Sequence, residues 1–132
     1  MFLLDTNIVS YWMRGDQQII NTLKRHKPYE LTFSTITLAE ILYGIRKSNT
    51  KRKERLHKIE SICSQLQIFP FDKPAADKYG TIRVYLESRG IPISERDLQI
   101  ASIAMANDLT VVTHNIKEFG RISGLRFQDW AA

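Results

Sequence analysis

Four carboxylates in this chain stand where side-chain oxygens could do chemistry. Asp5 ends the apolar run Met1 to Leu4, and Glu40 falls in Thr37-Leu38-Ala39-Glu40-Ile41. Asp97 falls in Ser94-Glu95-Arg96-Asp97, and Glu118 in Lys117-Glu118-Phe119. Carboxylates brought within a few ångströms repel one another, and without a cation some of them must take up protons. A hard divalent ion removes that conflict. Mg²⁺ takes oxygen ligands in octahedral geometry and keeps several waters, and Mn²⁺ accepts the same donors. Such an ion activates water and stabilises charge on a phosphate. The expected chemistry is therefore metal-dependent phosphodiester hydrolysis. Asp5 and Asp97 are the expected direct metal ligands, Glu40 would bind metal or position the attacking water, and Glu118 would complete the site.

Each acid also has a plainer explanation. Asp5 and Thr6 are good helix-capping residues at the start of a helix. Thr37 to Glu40 matches a capping box, with Ser94 to Asp97 nearly the same. The two roles are compatible, because a helix N-terminus holds a carboxylate rigidly and its dipole favours the charge. Lys117-Glu118-Phe119 reads equally as an exposed turn.

Metal-free cleavage of RNA relies on histidine as acid and base. The three histidines here lie in dissimilar contexts, His26 and His57 among lysines and arginines as solvated surface residues. His114, between Thr113 and Asn115, is left open to a substrate contact. No Walker A loop, HExxH helix or G-x-S-x-G elbow is present.

Strands and helices alternate along the chain. Phe2-Leu3-Leu4 reads as a buried strand, followed by helices at Ile8 to Met13 and Gln17 to His26. Leu31 to Ser34 is strand-like, Thr37 to Lys47 helical, and a long helix runs from about Thr50 to Leu66. Ile68 to Phe71 is a strand whose proline places it at an edge or a strand end. A helix from Pro74 to Ser88 stops at Gly90, and another opens at Ser94 and reaches Asn107. Thr110 to Thr113 is the clearest strand, and Arg126 to Gln128 a last one. This order predicts an α/β fold with a parallel sheet covered on both faces, whose ligands bind at the carboxyl ends of the strands.

At 132 residues the chain is expected to form one domain, residues 1–132. Nineteen Lys and Arg stand against fourteen Asp and Glu, four of which are the candidate acids, so the remainder is more basic still. That balance favours polyanionic partners, nucleic acid first. The single cysteine, Cys63, excludes an intramolecular disulfide and a cysteine-based zinc site, and reads as a buried thiol in a reducing compartment. Asp5 cuts short the only apolar run at the N-terminus, so no signal peptide is read there, and no membrane segment elsewhere. The expected location is cytoplasmic.

Taken together, five strings resemble the PIN-domain ribonucleases, and among them the VapC toxins of bacterial toxin–antitoxin pairs. They are Leu3-Leu4-Asp5-Thr6-Asn7-Ile8, Ser34 to Gly44, Arg96-Asp97-Leu98-Gln99-Ile100-Ala101, Val112-Thr113-His114-Asn115 with Glu118-Phe119, and Gly124-Leu125 to Asp129-Trp130. The resemblance covers essentially the whole length. It implies a PIN-like three-layer α/β/α fold with four to five parallel strands, and a cut in RNA that depends on Mg²⁺ or Mn²⁺. It carries the family's acids onto Asp5, Glu40, Asp97 and Glu118, and its hydroxyl positions onto Thr6 and Thr113. Many PIN domains have aspartate where this chain has Asn115, so the fourth carboxylate must come from Glu118 or be missing. The resemblance also implies a homodimer, a small VapB-like antitoxin as partner, and structured RNA such as tRNA as substrate.

Three rivals stay open at this level. One is a degenerate PIN-fold module that binds nucleic acid or regulates without turnover. Another is a nuclease acting on DNA ends or flaps. The third is a phosphotransfer enzyme with Asp5 as nucleophile, against which Asn7 counts, since an Asp-x-Asp motif needs aspartate there. The basic run Lys51-Arg52-Lys53-Glu54-Arg55 reads as a solvated helix face or as a contact for RNA backbone.

Overall fold

Short apolar segments bounded by polar residues become the strands in the computed structural model, which describes residues 1–131. Five strands form one sheet: β1 (Phe2–Leu4), β2 (Leu31–Ser34), β3 (Gln67–Phe69), β4 (Thr110–Val112) and β5 (Phe127–Gln128). All neighbours pair in parallel, in the order β3-β2-β1-β4-β5. Leu4 lies level with Phe33 on one side and Val112 on the other.

Alternate residues of a strand point to opposite faces, and the two faces of this sheet bury different helices. Leu3 and Val111 join the core built from α5 (Lys73–Ser88), α6 (Glu95–Ala106) and the short α7 (Ile116–Phe119). Leu4, Phe33 and Val112 join the core built from α1 (Thr6–Met13), α2 (Gln17–Leu23), α3 (Thr35–Lys47) and α4 (Arg52–Gln65). The result is the three-layer α/β/α arrangement the sequence predicts. Because both faces are covered at the centre of the sheet, β1, β2 and β4 read as short runs with little alternation, while the edge strands β3 and β5 are more exposed.

From β1 the chain steps outward to β2 and β3 on one side, then returns to add β4 and β5 on the other. The strand order thus reverses between β1 and β4, and a crevice opens beyond the carboxyl ends of those two strands. Asp5 follows β1 directly, with its N–H donated to Val112 O at 3.0 Å. Thr113 follows β4, and its N–H is donated to Gln128 O at 2.9 Å.

Several expectations shift in detail. Pro70 follows the end of β3, an edge strand of the sheet, as its missing N–H requires. Pro74 stands in the first turn of α5, which Asp72 caps by accepting the Ala75 N–H at 3.2 Å. Helix α7 and a 3₁₀ turn at Pro28–Glu30 were not foreseen, each too short to show a period. His26 is not a free surface group: its ring stacks on Trp130 at 5.0 Å and meets the edge of Phe2. Cys63 is only half-buried. Among the described residues no helix is long and apolar enough to cross a membrane.

Candidate active site

The start of α1 sets the first acid. Asp5 is extended and almost wholly buried, 3% exposed, and its Oδ1 accepts the Ile8 N–H at 3.0 Å as the helix cap. Burial raises its pKa above the usual carboxylate range, opposed by hydrogen bonds from Thr113 and from the N–H groups of Ile8 and Asn7. The charge of Asp129 raises it a little further. A helix N-terminus and a buried hydroxyl therefore hold this carboxylate in a fixed direction.

Thr113 links that acid to the next element. It is fully buried, and its Oγ1 also accepts the Asn115 N–H at 2.8 Å. The Asn115 side chain then turns toward the acids from α6 and α7. Its Nδ2 donates to Asp97 Oδ2 at 2.8 Å and also to Glu118 Oε2.

Helix α6 begins at Ser94, whose Oγ accepts the Asp97 N–H at 3.3 Å. In a capping box the third residue would return the bond to the cap's own N–H. Here Glu118 does so instead, its Oε1 accepting the Ser94 N–H at 3.0 Å. Asp97 is left to face Glu118 and the cleft. Its pKa is pushed up to about 7, chiefly by burial, then by the hydrogen bond and charge of Glu118, with Asp5 adding to it. The same hydrogen bond with Asp97 holds Glu118 low, helped by the Ser94 N–H and Asn115 and by the charge of Arg121. The pair thus keeps a proton on Asp97 well above the ordinary carboxylate range.

Asp5, Thr6, Asn7, Ser94, Arg96, Asp97, Asn115 and Glu118 line one cleft of about 260 Å³ at the strand-order reversal. Glu40 does not line it. The cap of α3 is Ser34, accepting the Thr37 N–H at 3.1 Å, so Thr37 is not a cap and Glu40 lies deeper in the helix than a capping box would put it. Its carboxylate pairs with Arg96 of α6 and opens on a neighbouring groove of about 760 Å³ between α1, α3 and α4. That groove carries Arg14, Lys51, Arg55 and Lys58, and shares Thr6 and Asn7 with the acidic cleft.

The donor set suits a hard divalent cation. Three carboxylates and two carboxamides, those of Asn7 and Asn115, line one crevice, and burial first, then the neighbouring Glu118 and Asp5, push Asp97 toward its protonated form. As they stand, no three carboxylate, histidine or cysteine side chains among the described residues already form a ligand cluster. Glu40 is engaged by Arg96, and the Asn115 amide bonds both Asp97 and Glu118.

The model of the PIN domain matches residues 2–125. The chain belongs to the PIN-domain family. Within it, the chain is similar to the VapC ribonucleases along nearly its full length. Ribonuclease VapC2 of Rickettsia felis is 38% identical over 132 residues, 98% of each chain. The tRNA(fMet)-specific endonuclease VapC of Salmonella typhimurium is 35% identical over 129 residues, 98% of this chain and 97% of the relative. Among solved structures, DNA-bound VapBC from Salmonella typhimurium aligns with a TM-score of 0.91 at 34% identity, covering 98% of each chain.

In this PIN domain, sequence reasoning overlooked three residues beside the acids. Ser94 anchors Glu118 through its N–H. Arg96 holds Glu40, and a lone cation within an acidic string was the signal available for it. Asp129, just past β5, accepts from His114 with Nδ1 and Oδ2 3.0 Å apart. Nothing in the spacing of His114 and Asp129 announced that pair, which only the pairing of β4 with β5 brings about.

Proposed function

We propose that this chain is the toxin of a VapBC-type pair, a metal-dependent endoribonuclease. The observation that carries the reading is the convergence of Asp5, Asp97 and Glu118 in a cleft continuous with a basic groove. A Mg²⁺ or Mn²⁺ ion held by Asp5 and Asp97 would supply an acidified water and charge opposite the scissile phosphate. Glu118 stays ionised beside Asp97 and completes the acidic wall, Thr113 and Asn115 fix the directions of the acids, and Thr6 lines the cleft with its hydroxyl bonded to that of Thr37. Glu40 faces the groove from which substrate enters, in place to orient water. Arg14, Lys51, Arg55 and Lys58 meet RNA phosphates there, contacts that set register without reading bases.

The similar proteins named above support RNA as substrate, with tRNA the leading candidate, and the VapBC structure supports a small VapB-like antitoxin. A homodimer in the cytoplasm completes the proposal. The test is to incubate the purified chain with bulk tRNA and with single-stranded DNA, with Mg²⁺, with Mn²⁺ or with EDTA. Discrete tRNA fragments only in the metal lanes are expected. RNA binding without turnover would instead make the chain a binding module, and preferential cutting of DNA would replace the substrate.

A further inference from the structure

Arg96 is the only cation that lines the acidic cleft among the described residues; its companions there are three acids and four uncharged polar residues. It occupies the second position of α6, at the positive end of the helix dipole, where a cation gains nothing from the helix. Its Nη1 donates to Glu40 Oε2, so the side chain spans from the cleft to the groove that Glu40 lines. Among the described residues no other bond uses this guanidinium, which leaves Nε and Nη2 without partners. Its side chain is 58% exposed and that of Glu40 29%, and a pair so exposed contributes little to stability.

We propose that Arg96 is a phosphate-binding residue: it holds Glu40 in the free protein and exchanges that carboxylate for an RNA phosphate next to the cut. The inference rests on the ribonuclease reading. A phosphodiester approaching three acids is repelled unless a cation meets it, and Arg96 stands at the border the strand must cross. The planar guanidinium fork matches phosphate oxygens as well as it matches a carboxylate. Swapping one anion for another leaves the arginine paired throughout and returns Glu40 to the entering substrate.

A cation among acids makes two predictions of opposite sign, which a purely structural role would not. In Arg96→Gln, the affinity for a fluorescent single-stranded RNA, read by anisotropy in EDTA, falls about tenfold. The slope of log affinity against log salt also shrinks by about 0.7, the share of one phosphate contact on a single strand. Mn²⁺ binding to the RNA-free protein, read from the paramagnetic signal of free ion, tightens about two- to fivefold because a nearby positive charge is gone. Arg96→Lys restores the salt slope and part of the affinity. RNA affinity and slope equal to wild type in Arg96→Gln would overturn the proposal, as would weakened Mn²⁺ binding, which would make Arg96 a support for the acids. A wild-type chain that binds RNA yet never cuts it refutes the nuclease reading and leaves these binding comparisons to decide Arg96. A wild-type chain with no affinity for RNA refutes both.

Discussion

Glu118 Oε1 accepts the N–H of Ser94 at 3.0 Å, across 24 residues of chain, and so closes the cap of α6 in place of Asp97. This one bond ties α7 to the start of α6 and keeps Asp97 available to the cleft. The two carboxyls then diverge: Asp97 is raised, chiefly by burial and then by Glu118, while the bond with Asp97 holds Glu118 low.

The raised Asp97 carboxyl makes stability pH-dependent. Asp97 rises from 3.8 to about 7 on folding, so between those values the folded chain holds a proton that the unfolded chain has released. Stability through this group therefore falls as pH rises across that window and levels off above it. Asp97→Asn removes the effect. In EDTA its melting temperature should exceed that of wild type above neutrality and converge with it in acid, read by thermal scans across the window. Equal melting temperatures throughout would show that the raised carboxyl does not exist.

Asp5 has two separable jobs, capping α1 and carrying charge. Asp5→Asn keeps an oxygen for the Ile8 N–H and removes a buried charge, so cleavage should be lost with stability at or above wild type in EDTA. Asp5→Ala also loses the cap, at a cost of about 1 kcal/mol. Urea titration of the two variants distinguishes them, and an Asp5→Asn chain less stable than Asp5→Ala would contradict the assignment.

Asn115 donates to both Asp97 and Glu118, so Asn115→Asp replaces a donor with a fourth carboxylate in the cleft. Without metal this should destabilise the chain by about 1–3 kcal/mol, the cost of unpaired buried polar groups. Saturating Mg²⁺ should return much of the loss. Calorimetric scans with and without the ion check this, and a deficit that Mg²⁺ leaves untouched would place the ion elsewhere.

The groove offers a graded test. Arg55→Gln should weaken RNA binding while leaving Mn²⁺ affinity unchanged, since Arg55 lines the groove and not the cleft. Lys58 is a poorer probe, because its Nζ also donates to Met13 O at 3.2 Å and tethers α4 to α1. A change in Mn²⁺ affinity in Arg55→Gln would mean that Arg55 acts on the acids as well as on RNA.

Much of this was legible beforehand for a physical reason. The strands at Phe2, Leu31 and Thr110 are buried on both faces, so they appear as short apolar runs whose ends mark the sheet edge. Asp5 and Thr113 are placed by those ends alone. The capping box read at Thr37 to Glu40 does not form, because two hydroxyls, Ser34 and Thr37, compete for one cap. The chain passes from β2 into α3 with no loop, and the earlier serine takes the role. The contacts of Arg96 with Glu40 and of His114 with Asp129 join elements far apart in sequence, and residue spacing carries no record of them. Helix α7 is a single turn, too short for periodicity, yet it delivers Glu118.

The proposed divalent ion on Asp5 and Asp97 would drive hydrolysis of RNA. The most direct measurement of this is single-turnover cleavage of an end-labelled RNA by wild type and Asp97→Asn in Mn²⁺ and in EDTA, with the product ends identified. Wild type in Mn²⁺ should leave 5′-phosphate and 3′-hydroxyl ends, with no cutting in the other three reactions. Cyclic-phosphate ends formed in EDTA, or an Asp97→Asn rate equal to wild type, would contradict this role for the ion.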